Sequence, residues 1–125
     1  MTRDEDMTAR PTVEKYYDRL GRRAEWDAVF SDDVVFTNFA SPVRRVTGKD
    51  AFLQATRRFY GSIGSLEVRE LVVDGAYACA LVRYEVRPPN GAPPFESHVA
   101  EFFTVEDGEI GAFAICFDTA PYPKS

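Results

Sequence analysis

His98 is the one histidine in the chain. No other side chain here has an unperturbed pKa close to neutrality, so on the wall of a pocket it could act as general acid or base. Tyr16 and Asn38 carry donors that could hold a carbonyl or enolate oxygen. Each of the three also has a plain structural reading. His98 can be a neutral imidazole bonded to Tyr84 and Glu96, Asn38 can end a strand and satisfy loop backbone, and Tyr16 can be a core aromatic. Cys79 and Cys116 lack metal-site spacing and read as small apolar residues. Zinc spacing, a phosphate loop, a nucleophile elbow and a dinucleotide fingerprint are all missing, so the expected site uses no metal and no cofactor.

The elements that must position such groups follow from pattern. A chain of 125 residues, 45% hydrophobic, suits one domain with a real core. Its net charge of −5 and isolated Arg pairs argue against a nucleic-acid surface. No apolar run reaches the ~18 residues of a membrane span, and a cytoplasmic location is the expectation. Residues 1–9 read as a disordered lead-in, 10–122 as the domain and 123–125 as a tail.

Val13, Tyr16, Tyr17, Leu20 and Ala24 recur at helical spacing, predicting a helix over 10–22 with Pro11 in its first turn. A short second helix carries Trp26, Val29 and Phe30, ended by Ser31-Asp32-Asp33. A strand follows at 34–38 and a loop at 39–46. Thr47-Gly48-Lys49-Asp50 resembles a capping box opening a third helix, with Phe52, Thr56, Phe59, Tyr60 and Ile63 on its inner stripe. Four strands complete the chain at 66–73, 76–87, 95–105 and 109–118, joined by short turns that make them antiparallel neighbours. Helices at one end and a meander at the other imply an α+β domain with the helices over one sheet face.

Alternation along the strands locates a pocket. Pairing Val105 with Ile110 across the Asp107-Gly108 turn sets Phe102 opposite Phe113, Ala100 opposite Ile115 and His98 opposite Phe117. Centring the preceding hairpin on Gly91 adds Tyr84, Val82, Ala80 and Ala78 to the same face. Small residues beneath helices leave volume, which the first helix fills or a ligand occupies. The opposite face then carries Tyr77, Leu81, Val99, Phe103 and Cys116 beside Arg83, Glu85 and Glu101. It is apolar enough to predict a homodimer through the outer sheet face. Glu67 and Arg69 face inward if the Asp74-Gly75 turn is a plain two-residue one, and outward if a bulge intervenes. Asp118 is expected to order the tail through backbone amides.

The stretches 30–36 (FSDDVVF), 47–51 (TGKDA), 101–110 (EFFTVEDGEI) and 117–119 (FDT) resemble the SnoaL-like branch of the nuclear-transport-factor-2-like superfamily. The resemblance covers about residues 10–122. It implies a cone-shaped, curved antiparallel sheet covered by three N-terminal helices, often in a dimer. This fold hosts isomerases, cyclases, epoxide hydrolases, dehydratases and non-catalytic binders. Ketosteroid isomerases place a tyrosine donor, an aspartate base and a protonated aspartate where this chain has Tyr16, Asn38 and Ala100. Limonene-epoxide-hydrolase-like enzymes match at Asn38, while their tyrosine position falls on Phe36 and their Asp–Arg–Asp group on Tyr84, Val82 and Ile115.

The expected function is a cofactor-independent isomerase, cyclase or dehydratase acting on an apolar, carbonyl-bearing metabolite. His98 would move a proton while Tyr16 and Asn38 hold the oxyanion. Tyr84, Val82, Ala100, Phe102, Phe113, Ile115, Phe117 and Phe59 would line the ligand. A non-catalytic ligand-binding protein and an epoxide-hydrolase-like enzyme are the alternatives.

Overall fold

The computed structural model describes residues 8–40 and 42–122. The expected tail and most of the expected lead-in lie outside the described residues. Ala9, assigned to that lead-in, is fully buried, and its N–H donates to the Gly75 carbonyl at 2.8 Å.

Among the described residues two α-helices and one 3-10 turn accompany six strands, where three helices are expected. Helix α1 spans Arg10–Arg22 and buries Val13, Tyr16, Tyr17 and Leu20, the stripe its spacing indicates. The second helix is only the 3-10 turn Trp26–Val29, too short to bury a face of its own. Strand β1 (Phe30–Asn38) starts earlier than expected and takes in Ser31, Asp32 and Asp33, with an irregularity between Phe30 and Val35. Part of the expected loop forms β2 (Arg44–Thr47), antiparallel to β1. Thr47 therefore belongs to a strand, and α2 (Lys49–Ser62) starts from Gly48 without a side-chain cap. Gly48 has φ of 101°, a backbone angle that excludes the expected Thr-led box.

Strands β3 (Ile63–Asp74), β4 (Tyr77–Val86), β5 (Phe95–Glu106) and β6 (Glu109–Phe117) form the antiparallel meander. The sheet order is β2-β1-β6-β5-β4-β3, and β1 pairs with β6 in parallel. Only a crossover can join parallel neighbours, and here the whole β2–β5 segment provides it. The helices lie on one face, over a core of Tyr16, Phe30, Phe36, Phe52, Phe103 and Phe113 in mutual ring contact.

The β5–β6 register departs from the expected one. Val105 does pair with Ile110, but Thr104 pairs with Ala112, so Gly111 is an extra residue on β6. Beyond this bulge Phe103, not Phe102, faces Phe113, and Glu101, not Ala100, faces Ile115. The neighbouring hairpin agrees, with Ser97 opposite Tyr84 and Val99 opposite Val82. Ser97, Val99, Glu101, Phe103 and Val105 are accordingly buried under the helices. His98, Ala100 and Phe102 point to the other face, where His98 and Phe102 are exposed.

Candidate functional site

The helix-covered face of the sheet holds a hollow of about 600 Å³ between α2, the ends of β5 and β6 and the β4–β5 loop. Phe36, Phe59, Phe113, Ile115 and Phe117 supply most of its apolar wall. Tyr122 closes one side, donating to Ser97 Oγ at 2.7 Å and packing on Phe95 and Phe117. Asn38, Tyr60 and Glu101 bring polar groups to it. This volume and this mix of surfaces suit a small organic ligand.

Glu101 is the chemically distinctive group. It is 1% exposed, and both carboxylate oxygens accept phenolic hydrogen bonds. Tyr17 donates to Oε1 at 2.5 Å and Tyr84 to Oε2 at 2.7 Å. Tyr17 comes from α1 and Tyr84 from β4, so a helix and a strand converge on one carboxyl. Ala80 stands opposite Glu101 on β4 and is itself buried. Burial pushes the Glu101 carboxyl up to about 7, while the two hydrogen bonds hold it down. Burial and the charge of Glu101 raise Tyr17 and Tyr84 well above ordinary phenols, so both remain protonated donors.

Tyr16 stands behind this wall. Fully buried, it shares a 2.6 Å hydrogen bond with the hydroxyl of Tyr60. Tyr60 lines the hollow from α2, stacked on Trp26 with ring centroids 3.9 Å apart. Burial raises Tyr60 well above the usual phenol, the charge of Glu101 adds to this, and the bond from Tyr16 opposes it. Asn38 also lines the hollow. Its side-chain oxygen accepts from Ala40 N at 2.8 Å, which leaves its amino group as the donor open to a ligand.

The sequence-derived residues thus divide. Asn38, Phe59, Phe113, Ile115 and Phe117 are brought together at the hollow. Val82 and Tyr84 face the same side but lie in the core, and Tyr84 acts through Glu101. His98, Ala100 and Phe102 do not reach the hollow, because the Gly111 bulge reverses the phase of β5 relative to β6. His98 stands on the outer face opposite Arg83. The same one-residue shift brings Glu101, expected on the outer face, to the inner one. A signal did exist: Val99, Phe103 and Val105 make the odd positions of β5 the more apolar set.

A Glu–Arg–Glu group does occur, but on the outer face. Arg83 bonds Glu67 at 3.2 Å and Glu96 at 3.1 Å. Glu67 faces outward because β3 is bulged between Val68 and Glu70. Asp118 accepts from Ala120 N, the expected tail contact. Among the described residues no cluster of His, Cys, Asp and Glu could hold a metal ion, and no helix is long and apolar enough to cross a membrane.

Several solved structures share this architecture. A Kribbella flavida protein named as a candidate ketosteroid isomerase is 25% identical, with TM-score 0.70, covering 95% of this chain and 87% of that one. An LEH-like epoxide hydrolase from M. tuberculosis is 24% identical, with TM-score 0.70, covering 87% of this chain and 81% of that one. A Catenulispora acidiphila protein with a ketosteroid isomerase-like fold, solved with trimethylamine, is 14% identical, with TM-score 0.67 and coverage of 83% and 82%. At such identities the likeness is one of fold. No curated protein matches the sequence. The SnoaL-like domain model matches residues 13–112, from the aromatic stripe of α1 to the bulge on β6. With that span matched and the fold shared, the chain belongs to the SnoaL-like domain family of the nuclear-transport-factor-2-like superfamily.

Proposed function

We propose that the protein is a cofactor-independent enzyme that moves a proton on an apolar, carbonyl-bearing metabolite, with Glu101 as the acid–base group. The observation that carries this reading is one buried carboxyl, set at about 7 by its surroundings, on the wall of an apolar hollow. Near neutral pH such a group is divided between acid and base forms and can serve as either. As carboxylate it would take a proton from the carbon beside the carbonyl. As acid it would return that proton to another atom, giving isomerisation, or assist ring closure or loss of water. In this scheme Tyr16 takes the donor role in its bond to Tyr60, so that the Tyr60 proton would point at the developing oxyanion, with the Asn38 amino group as second donor. Tyr16 is then a positioning residue. His98 has no role in this scheme.

The test is hydrogen exchange between heavy water and the apolar ketone β-tetralone, followed by NMR. Wild-type protein should accelerate loss of the proton beside the carbonyl, with a rate that rises through about pH 7. Glu101→Gln should lower this rate about 10²–10³-fold. Equal rates for the two proteins would remove the proposal.

A second reading, a non-catalytic binder, is favoured by the trimethylamine held by the Catenulispora relative. A buried carboxylate among aromatic rings can also hold a small ammonium ion. Saturable binding of trimethylammonium without any ketone exchange would select this reading. We further propose that two copies pair through the outer sheet face. Tyr77, Leu81 and Phe102 are exposed there beside a groove of about 560 Å³. Arg45 and Asp74 both border this groove and could meet across a two-fold axis.

A further inference from the structure

The hollow has a second polar feature that proton transfer does not use. Arg58, on α2, lines it near Ser62, Pro88, Pro89 and Asn90, on the exposed side. Six cations, Arg10, Arg22, Lys49, Arg69, Arg83 and Arg87, each lie within ion-pair distance of a carboxylate. Arg58, like Lys15, Arg19, Arg23, Arg44, Arg45 and Arg57, has no such partner among the described residues, and it alone of the described cations lines the hollow. On its own helix the positions three and four residues away are Ala55, Gly61, Gln54 and Ser62, none of them acidic. A guanidinium left free at the edge of an apolar hollow offers a forked set of donors to an anionic group.

We propose that Arg58 is a specificity-determining residue that holds a carboxylate at the outer end of the ligand. Glu101 and Arg58 then orient the occupant together. An ionised carboxylate cannot be placed beside Glu101 without like-charge repulsion, so the neutral carbonyl end goes inward and the anionic end outward. The Phe59, Ile115 and Phe117 surfaces hold the apolar body between them. The ligand class is therefore an apolar keto acid rather than a neutral ketone. This inference rests on the hollow of the preceding reading but not on its proton-transfer step.

Calorimetric titration with benzoylpropanoate and its neutral twin benzoylpropanamide tests it. Wild-type protein should bind the acid about tenfold more tightly than the amide. Arg58→Gln should bring the ratio to about one without weakening the amide, and Arg58→Glu should reverse it. Arg57→Gln, on the same helix but away from the hollow, should leave the wild-type ratio intact. A ratio unchanged in Arg58→Gln overturns the inference while the hollow stands. Failure of both probes to bind wild-type protein overturns the hollow and the inference together. Glu101→Gln should keep the preference for the acid, so loss of ketone exchange in that variant bears on the proton-transfer reading alone.

Discussion

At Glu101 two forces act against each other: burial favours the neutral acid, and hydrogen bonds from Tyr17 and Tyr84 favour the carboxylate. Removing one donor should let burial gain. Tyr84→Phe is expected to move the midpoint of the ketone-exchange profile above about 7, and Tyr17→Phe to do the same. A profile unmoved by either change would mean that the carboxyl is not the titrating group. The same residue sets a stability slope. Its folded value of about 7 lies above the ordinary 4.5, so its stabilising contribution is complete below about 4.5 and disappears as pH rises through about 7. The difference is about 3 kcal/mol at most. Glu101→Gln, which can still bond both hydroxyls, should flatten the fall in urea midpoint between about pH 5 and about pH 8. The importance of this residue was hidden in the sequence, since a glutamate in a strand reads as a solvent group until the phase of the strand is known.

That phase belongs to the scale of elements. Periodicity alone locates α1, α2 and the four-strand meander, and the burial of Ala78, Ala80, Val82 and Tyr84 on β4 follows from simple alternation. Alternation failed on β5 because it assumes that each partner strand contributes one residue per step. The extra residue Gly111 breaks that count, and every β5 side chain beyond it changes face. The effect depends on the number of residues rather than on glycine itself. A Cβ at Gly111 would meet nothing within 4 Å, so Gly111→Ala should change stability by no more than about 0.5 kcal/mol. Deleting Gly111 should instead cost several kcal/mol, because Glu101 and Phe103 would lose their buried positions. Denaturant midpoints of the two variants separate these outcomes. The turn before it is stricter. Asp107 and Gly108 both have positive φ, 53° and 76°, as a tight hairpin demands.

At the scale of the whole sheet, the described helices cover one face, and no described helix covers the other. Val72, Tyr77 and Phe102 are each 45% exposed or more on that side, a concentration of apolar surface unlike a plain solvent face. If two copies meet there, sedimentation should report a dimer, and the double variant Tyr77→Lys with Phe102→Lys should report a monomer. Ketone exchange should survive in that monomer, since the hollow opens on the opposite side of the sheet. A wild-type monomer at high concentration would refute the pairing. The Gly111 bulge also changes which residues make up the outer face. Simple alternation puts Val99, Phe103 and Glu101 on it, but they lie inside, while Ala100, Phe102 and His98 take their places.

The parallel seam between β1 and β6 joins the earliest strand of the chain to the last. During translation, β1 would leave the ribosome long before its partner exists. The nascent chain would hold only a short β1–β2 ribbon and a separate β3–β4–β5 meander until residue 117 emerges. Such long-range closure makes for slow folding and late protease resistance. Stalled nascent chains should therefore gain that resistance in one step, when β6 clears the exit tunnel, rather than gradually.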